Sequence, residues 1–176
     1  MDKVKSLNGL IKALKKATPD EYVKIAKNMH IPLQDFEKYN HWQDKSYSRN
    51  CILKTEEFEL ILICWKKGAI TSIHGHDNQR CWIYQVDGEM NETRYSEDDK
   101  GNLTTSNRLK ITTGKLCYMQ DSMGYHKLEN LTEFNSITLH LYAKPVSKCA
   151  VYNAKEEIFE ERILTFDSIE GVLTNA

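Results

Sequence analysis

The chain has 176 residues, 40% hydrophobic and 28% charged, with a formal net charge of −1. That length suits one domain around one core, and the even charge balance argues against nucleic acid or an anionic membrane as partner, leaving a small molecule. No apolar run approaches the ~18 residues of a transmembrane helix. The Lys-rich stretch 1–16 carries its apolar residues at helical spacing and does not read as a secretory signal. The five cysteines (Cys51, Cys64, Cys81, Cys117, Cys149) are odd in number, irregular in spacing and free of any CxxC pair. A disulfide framework or thiolate zinc site is therefore not expected, and a reducing cytoplasm is the simplest compartment.

The first forty residues read as helices. Leu7, Leu10, Ile11 and Leu14 recur at helical spacing behind Ser6, a suitable cap. Thr18-Pro19-Asp20-Glu21 combines a capping residue, a first-turn proline and the acidic partner of a capping box, and Tyr22, Ile25, Ala26 and Met29 then line one face. A third short helix is predicted over 33–39. After Trp42 the pattern turns to strands, predicted at 46–53, 57–65, 82–86, 89–95, 103–111, 115–120, 136–143 and 158–166. Turn signals separate them, and Asp87-Gly88 reads as a hairpin turn. The expected architecture is mainly β: a jelly-roll type small β-barrel (43–170) with a helical N-terminal cap (1–42), in a single domain spanning 1–176.

Two of the six histidines lie in Ile73-His74-Gly75-His76-Asp77. On a strand, residues two apart share a face, so both imidazoles can aim at one metal ion; equally, they can be two polar residues on an exposed face. Their surroundings carry more information. Gly68-x5-His74-x-His76-x4-Cys81-x6-Gly88 fits the first cupin motif except at Cys81, which replaces the usual glutamate ligand. A weaker second motif runs from Gly114 to His126 and Asn130, with Gln120 in place of its proline. A centre of three neutral histidines leaves a divalent metal its full charge, which favours an anionic soft ligand such as a thiolate.

Four blocks give a more specific resemblance. They are Tyr47-Ser48-Arg49-Asn50; Cys64-Trp65 followed by Ile73-His74-Gly75-His76; Asp121-Ser122-Met123-Gly124-Tyr125-His126; and Leu139-His140-Leu141-Tyr142. Across residues 47–149 the chain resembles the cysteine dioxygenases of the cupin superfamily. The resemblance implies Fe(2+) held by His74, His76 and His126, with L-cysteine and O2 as substrates and L-cysteine sulfinate as product. It implies that Arg49 binds the substrate carboxylate, with Tyr47 and Ile63 lining the same pocket. It also implies catalytic roles for Tyr142, His140 and Cys81: Tyr142 hydrogen-bonds oxygen, His140 orients its hydroxyl, and Cys81 occupies the position from which eukaryotic members form a Cys–Tyr thioether. Thr138 stands where the family has serine, and Cys149 aligns with a cysteine at the pocket mouth. A monomer is expected.

Two other readings stand beside this one. A 3-mercaptopropionate dioxygenase shares the fold and histidines but tends to carry glutamine at the position of Arg49. A cupin holding another metal, as a binding module or for other chemistry, would leave Arg49, Cys81, His140 and Tyr142 without a purpose.

Overall fold

The computed structural model describes residues 3–174. Two helices, α1 (Leu7–Leu14) and α2 (Tyr22–Lys27), and a 3₁₀ segment, Leu33–Tyr39, precede the strands. Ser6 caps α1 as expected, its Oγ accepting from Gly9 N at 3.1 Å. The Thr18 signal works differently: the Glu21 carboxylate accepts from both the amide and the hydroxyl of Thr18 (2.8 and 3.0 Å). Glu21 thus supplies its half of the capping box, whereas among the described residues no helix amide donates to the Thr18 hydroxyl, and α2 starts at Tyr22.

Twelve strands follow: β1 (Tyr47–Lys54), β2 (Phe58–Trp65), β3 (Arg80–Asp87), β4 (Glu89–Glu97), β5 (Leu103–Thr112), β6 (Leu116–Met119), β7 (Tyr125–Glu129), β8 (Ser136–Ala143), β9 (Lys148–Asn153), β10 (Ile158–Ile163), β11 (Ser168–Ile169) and β12 (Val172–Leu173). They form a seven-stranded sheet in the order β12-β11-β1-β2-β8-β3-β6, a three-stranded sheet β5-β4-β7 and a pair β10-β9. Residues 69–75 join the two smaller sheets through bridges Ile70–Glu129, His74–His126 and His74–Val151. The structure thus has the mainly β architecture with a helical cap that the sequence predicts.

β2 and β8 are buried along their whole length because both faces of the large sheet are covered. Leu60, Leu62 and Cys64 of β2, with Leu139 and Leu141 of β8 and Trp82 of β3, pack under the helices against Leu10, Leu14, Tyr22 and Phe36. Tyr22 meets Phe58 and Trp82 edge-on, at centroid distances of 6.0 and 6.3 Å. Each such large side chain removed from water contributes about 1.5–3 kcal/mol. The alternate residues Ile61, Ile63, Trp65, Cys81, Ile83 and Tyr142 point the other way, into the barrel. Strand alternation therefore decides which side chains reach the interior.

Asp87-Gly88 is not a hairpin turn. β3 pairs with β6 and β8, and β4 with β5 and β7, so Gly88 (φ +75°) is a corner where the chain leaves one sheet for the other. Turn chemistry marks the sharp bend but not its partner strands. The pattern does not predict β7 or β9; both are short, β7 pairs with the distant β4, and β9 forms a hairpin with its neighbour β10. Among the described residues, no helix is long and apolar enough to cross a membrane.

Candidate metal centre

His74, His76 and His126 converge inside the barrel, with one ligand atom of each lying within 4.8 Å of the others. Their ring centroids are 4.6 to 5.6 Å apart. The reason differs from strand alternation within one regular strand. His74 is wedged between β7 and β9 by isolated bridges, exchanging both backbone hydrogen bonds with His126. His76 follows at a loop whose next two residues, Asp77 and Asn78, both have positive φ. Asp121 holds that loop: its carboxylate accepts from the backbone N–H of His76 (2.6 Å) and of Asn78 (2.7 Å). Burial works against the Asp121 anion, but the nearby His76 ring and these backbone bonds win and keep its carboxyl below the usual range. Gly124, at φ +90°, turns the chain from Asp121 into β7; a Cβ there would lie 2.1 Å from the Tyr95 carbonyl oxygen.

Two tautomers are fixed by neighbours. Nδ1 of His74 lies 2.9 Å from the Ser72 carbonyl and must donate to it, which leaves Nε2 with its lone pair free. Nδ1 of His126 lies 2.7 Å from Glu92 Oε1, and its Nε2 is buried without a partner. A buried, unpaired nitrogen costs free energy unless something binds it, and a metal ion is the partner that three inward imidazoles fit. Desolvation by burial, with neighbouring histidines adding to it, holds the His74 ring well below the usual range; burial likewise lowers His126, to about 4. Both rings are therefore poised to ligate as neutral imidazoles.

Glu92 is the residue that sequence reading missed. It is fully buried on β4 and holds three partners: His126, Arg94 Nη2 at 3.0 Å, and the Cys117 thiol, which donates at 2.7 Å. Burial pushes its carboxyl up, but the bonds to His126, Cys117 and Arg94 overcome this and bring it to about 2. The sequence predicts a strand over 89–95, but not a contact from Glu92 to a histidine 34 positions away.

Beside the three histidines lies a cavity of about 230 Å³ lined by Tyr47, Arg49, Ile63, His74, His76, His140, Tyr142 and Cys149, among others. His126 and Cys81 are fully buried behind its wall. Cys81 on β3 stands directly opposite Tyr142 on β8. His140 Nδ1 lies 3.4 Å from the Tyr142 hydroxyl and 3.9 Å from Cys81 Sγ. On its other side, Nε2 lies 3.0 Å from Thr138 Oγ1, which accepts from Trp65 Nε1–H at 2.8 Å. Burial raises the Cys81 thiol and the Tyr142 phenol well above their usual ranges, so both keep their protons. Tyr47 packs on Trp65 at a centroid distance of 5.0 Å. Arg49 reaches the same cavity, with its Nη2 buried and unpartnered.

A small β-barrel with an inward histidine triad beside a pocket defines a cupin-type site that could hold a metal ion. The chain belongs to the cysteine dioxygenase type I family, whose model matches residues 2–155. It is 27% identical over 140 residues to human cysteine dioxygenase type 1, and 29% identical to the Bos taurus protein, covering 77% of this chain and 70% of each relative. Among solved structures it resembles TT1209 from Thermus thermophilus, with a TM-score of 0.52 and 15% identity over 63% of this chain and 96% of that one. The last likeness concerns fold alone.

Proposed function

We propose that this chain is an Fe(2+)-dependent thiol dioxygenase that converts L-cysteine and O2 into L-cysteine sulfinate. The observation that carries the proposal is a single cavity with the histidine triad at one side and an unpartnered Arg49 guanidinium nitrogen in its wall. Iron, when bound by His74, His76 and His126, supplies the redox chemistry that brings O2 and a thiolate together. In the overall reaction two S–O bonds form, the O–O bond breaks, and sulfur supplies all four electrons. No external reductant is needed.

The chain's own residues divide the remaining work. Arg49 receives the substrate carboxylate, a match of guanidinium and carboxylate forks. Tyr47 and Ile63 shape the pocket beside it. Tyr142 presents its protonated hydroxyl to the oxygen atoms, and His140 orients that hydroxyl. The opposed Cys81 and Tyr142 side chains suit a thioether, which forms with loss of two hydrogens to O2. The reading takes the enzyme as a monomer in the cytoplasm, a compartment that its five free cysteines suit.

The test is oxygen uptake by the iron-loaded protein with L-cysteine, 3-mercaptopropionate and cysteamine, with iron measured on the same sample. One O2 consumed per cysteine, and sulfinate as product, is expected. Faster turnover of 3-mercaptopropionate would move the substrate assignment, and no uptake by a fully iron-loaded sample would overturn the proposal.

A further inference from the structure

Arg49 does not hold its own position. On one side β1 pairs with β2, and on the other with the short β11, in parallel, placing Asn50 beside Ser168. The residues just before β11 enclose Arg49. Its backbone N–H donates to Asp167 Oδ2 at 2.8 Å, and its carbonyl accepts from Asp167 N at 2.8 Å. Its Nε donates to the Thr165 carbonyl at 3.2 Å, and the guanidinium carbon sits 5.7 Å from the centre of the Phe166 ring. Asp167 is anchored in turn by Lys45 at 2.7 Å, and Ser168 Oγ donates to the buried Asn50 at 2.8 Å. Thr165, Phe166, Asp167 and Ser168 all lie beyond residue 155, where the match to the family model ends.

We propose that the segment 165–168 is a clamp that preorganises Arg49 for the substrate carboxylate, with Phe166 and Asp167 as positioning residues. This rests on the carboxylate role proposed for Arg49. A free arginine side chain has rotamer entropy that binding must otherwise overcome. The clamp removes part of that cost in advance. With Nε committed to Thr165, the carboxylate meets the guanidinium through its Nη end, where Nη2 is buried and unpartnered. The flat Phe166 ring supports the guanidinium by cation–π contact. Asp167 fixes the backbone from which the side chain starts.

The experiment is anaerobic titration of the iron-loaded enzyme with L-cysteine and with cysteamine, which lacks the carboxylate, for Phe166→Ala, Asp167→Ala, Asp167→Asn and Arg49→Ala. Phe166→Ala and Asp167→Ala are expected to weaken L-cysteine binding about tenfold and to change cysteamine binding less than twofold. Steady-state KM should rise with kcat held within twofold, and Phe166→Tyr, which keeps the ring, should restore KM. Asp167→Asn keeps the acceptor and should leave L-cysteine affinity within twofold of the parent, and Phe166→Ala carries the test should Asp167→Ala fail to fold. If Arg49→Ala leaves cysteine affinity unchanged, the carboxylate reading falls, and the clamp with it. If Arg49→Ala weakens it but Phe166→Ala and Asp167→Ala do not, the clamp alone is overturned. Equal weakening for both thiols would also overturn it, since the segment would then act on the whole pocket.

Discussion

Removing Glu92 tests the metal centre from behind. Its carboxylate fixes the His126 tautomer through a 2.7 Å bond and neutralises Arg94, whose side chain is 11% exposed. Glu92→Gln keeps an acceptor for His126 but loses the charge, and losing such an outer partner typically weakens metal binding by about 10–100-fold, or about 1.4–2.7 kcal/mol. Glu92→Ala also strands the buried Arg94 cation, for which about 3–5 kcal/mol of fold stability is the usual cost. The low end is expected, because Arg94 still donates to the Tyr118 carbonyl at 2.7 Å. The two effects separate in the double variant Glu92→Gln, Arg94→Leu, which has no stranded charge: stability should recover while weak metal binding persists. Anaerobic competition for Fe(2+) against a chelator, with thermal melts of the metal-free protein, reads both quantities. Fe(2+) affinity within threefold of the parent in both glutamine variants would refute the reasoning.

The metal-free protein should lose stability in acid. His126, lowered to about 4, and His74 and His140, which burial also holds well below the usual range, stay neutral when folded but take up protons when unfolded once pH falls below about 6.5. That stabilisation is present above the unfolded value and disappears as pH drops toward 4; His126 alone accounts for about 2–3 kcal/mol by pH 4.5. Urea midpoints that stay flat from pH 7 to 4.5 would contradict this, and bound metal should shift the loss to lower pH. Gly124→Ala should cost about 3 kcal/mol or more by thermal melt, because strain at φ +90° adds to a backbone clash with Tyr95. Gly114→Ala is its control: φ is +81° but nothing lies within 4 Å, so about 1 kcal/mol is expected. Peptide mass analysis after many turnovers should reveal a Cys81–Tyr142 linked fragment about 2 Da lighter than the sum of its parts; its absence would remove the thioether from the proposal.

The sequence by itself determined the local structure and the chemical inventory. Helical spacing located α1, and runs rich in β-branched and aromatic residues located β2 and β8 as strands, because these patterns depend only on neighbours in the chain. Strand alternation sent Ile63, His140 and Tyr142 to one side of the sheet, and motif spacing picked out the histidines. Tertiary structure decided what surrounds them. Glu92 meets His126 across 34 positions, Asp121 holds His76 across 45, and Asp167 grips Arg49 across 118. Gly88 looked like a hairpin turn because a bend has local chemistry, whereas the choice between turning back and crossing to another sheet lies with the partner strands. A single buried carboxylate such as Glu92 leaves no periodic trace in a sequence: its position is favourable only because distant strands bring His126 and Cys117 to it, beside Arg94 of its own strand.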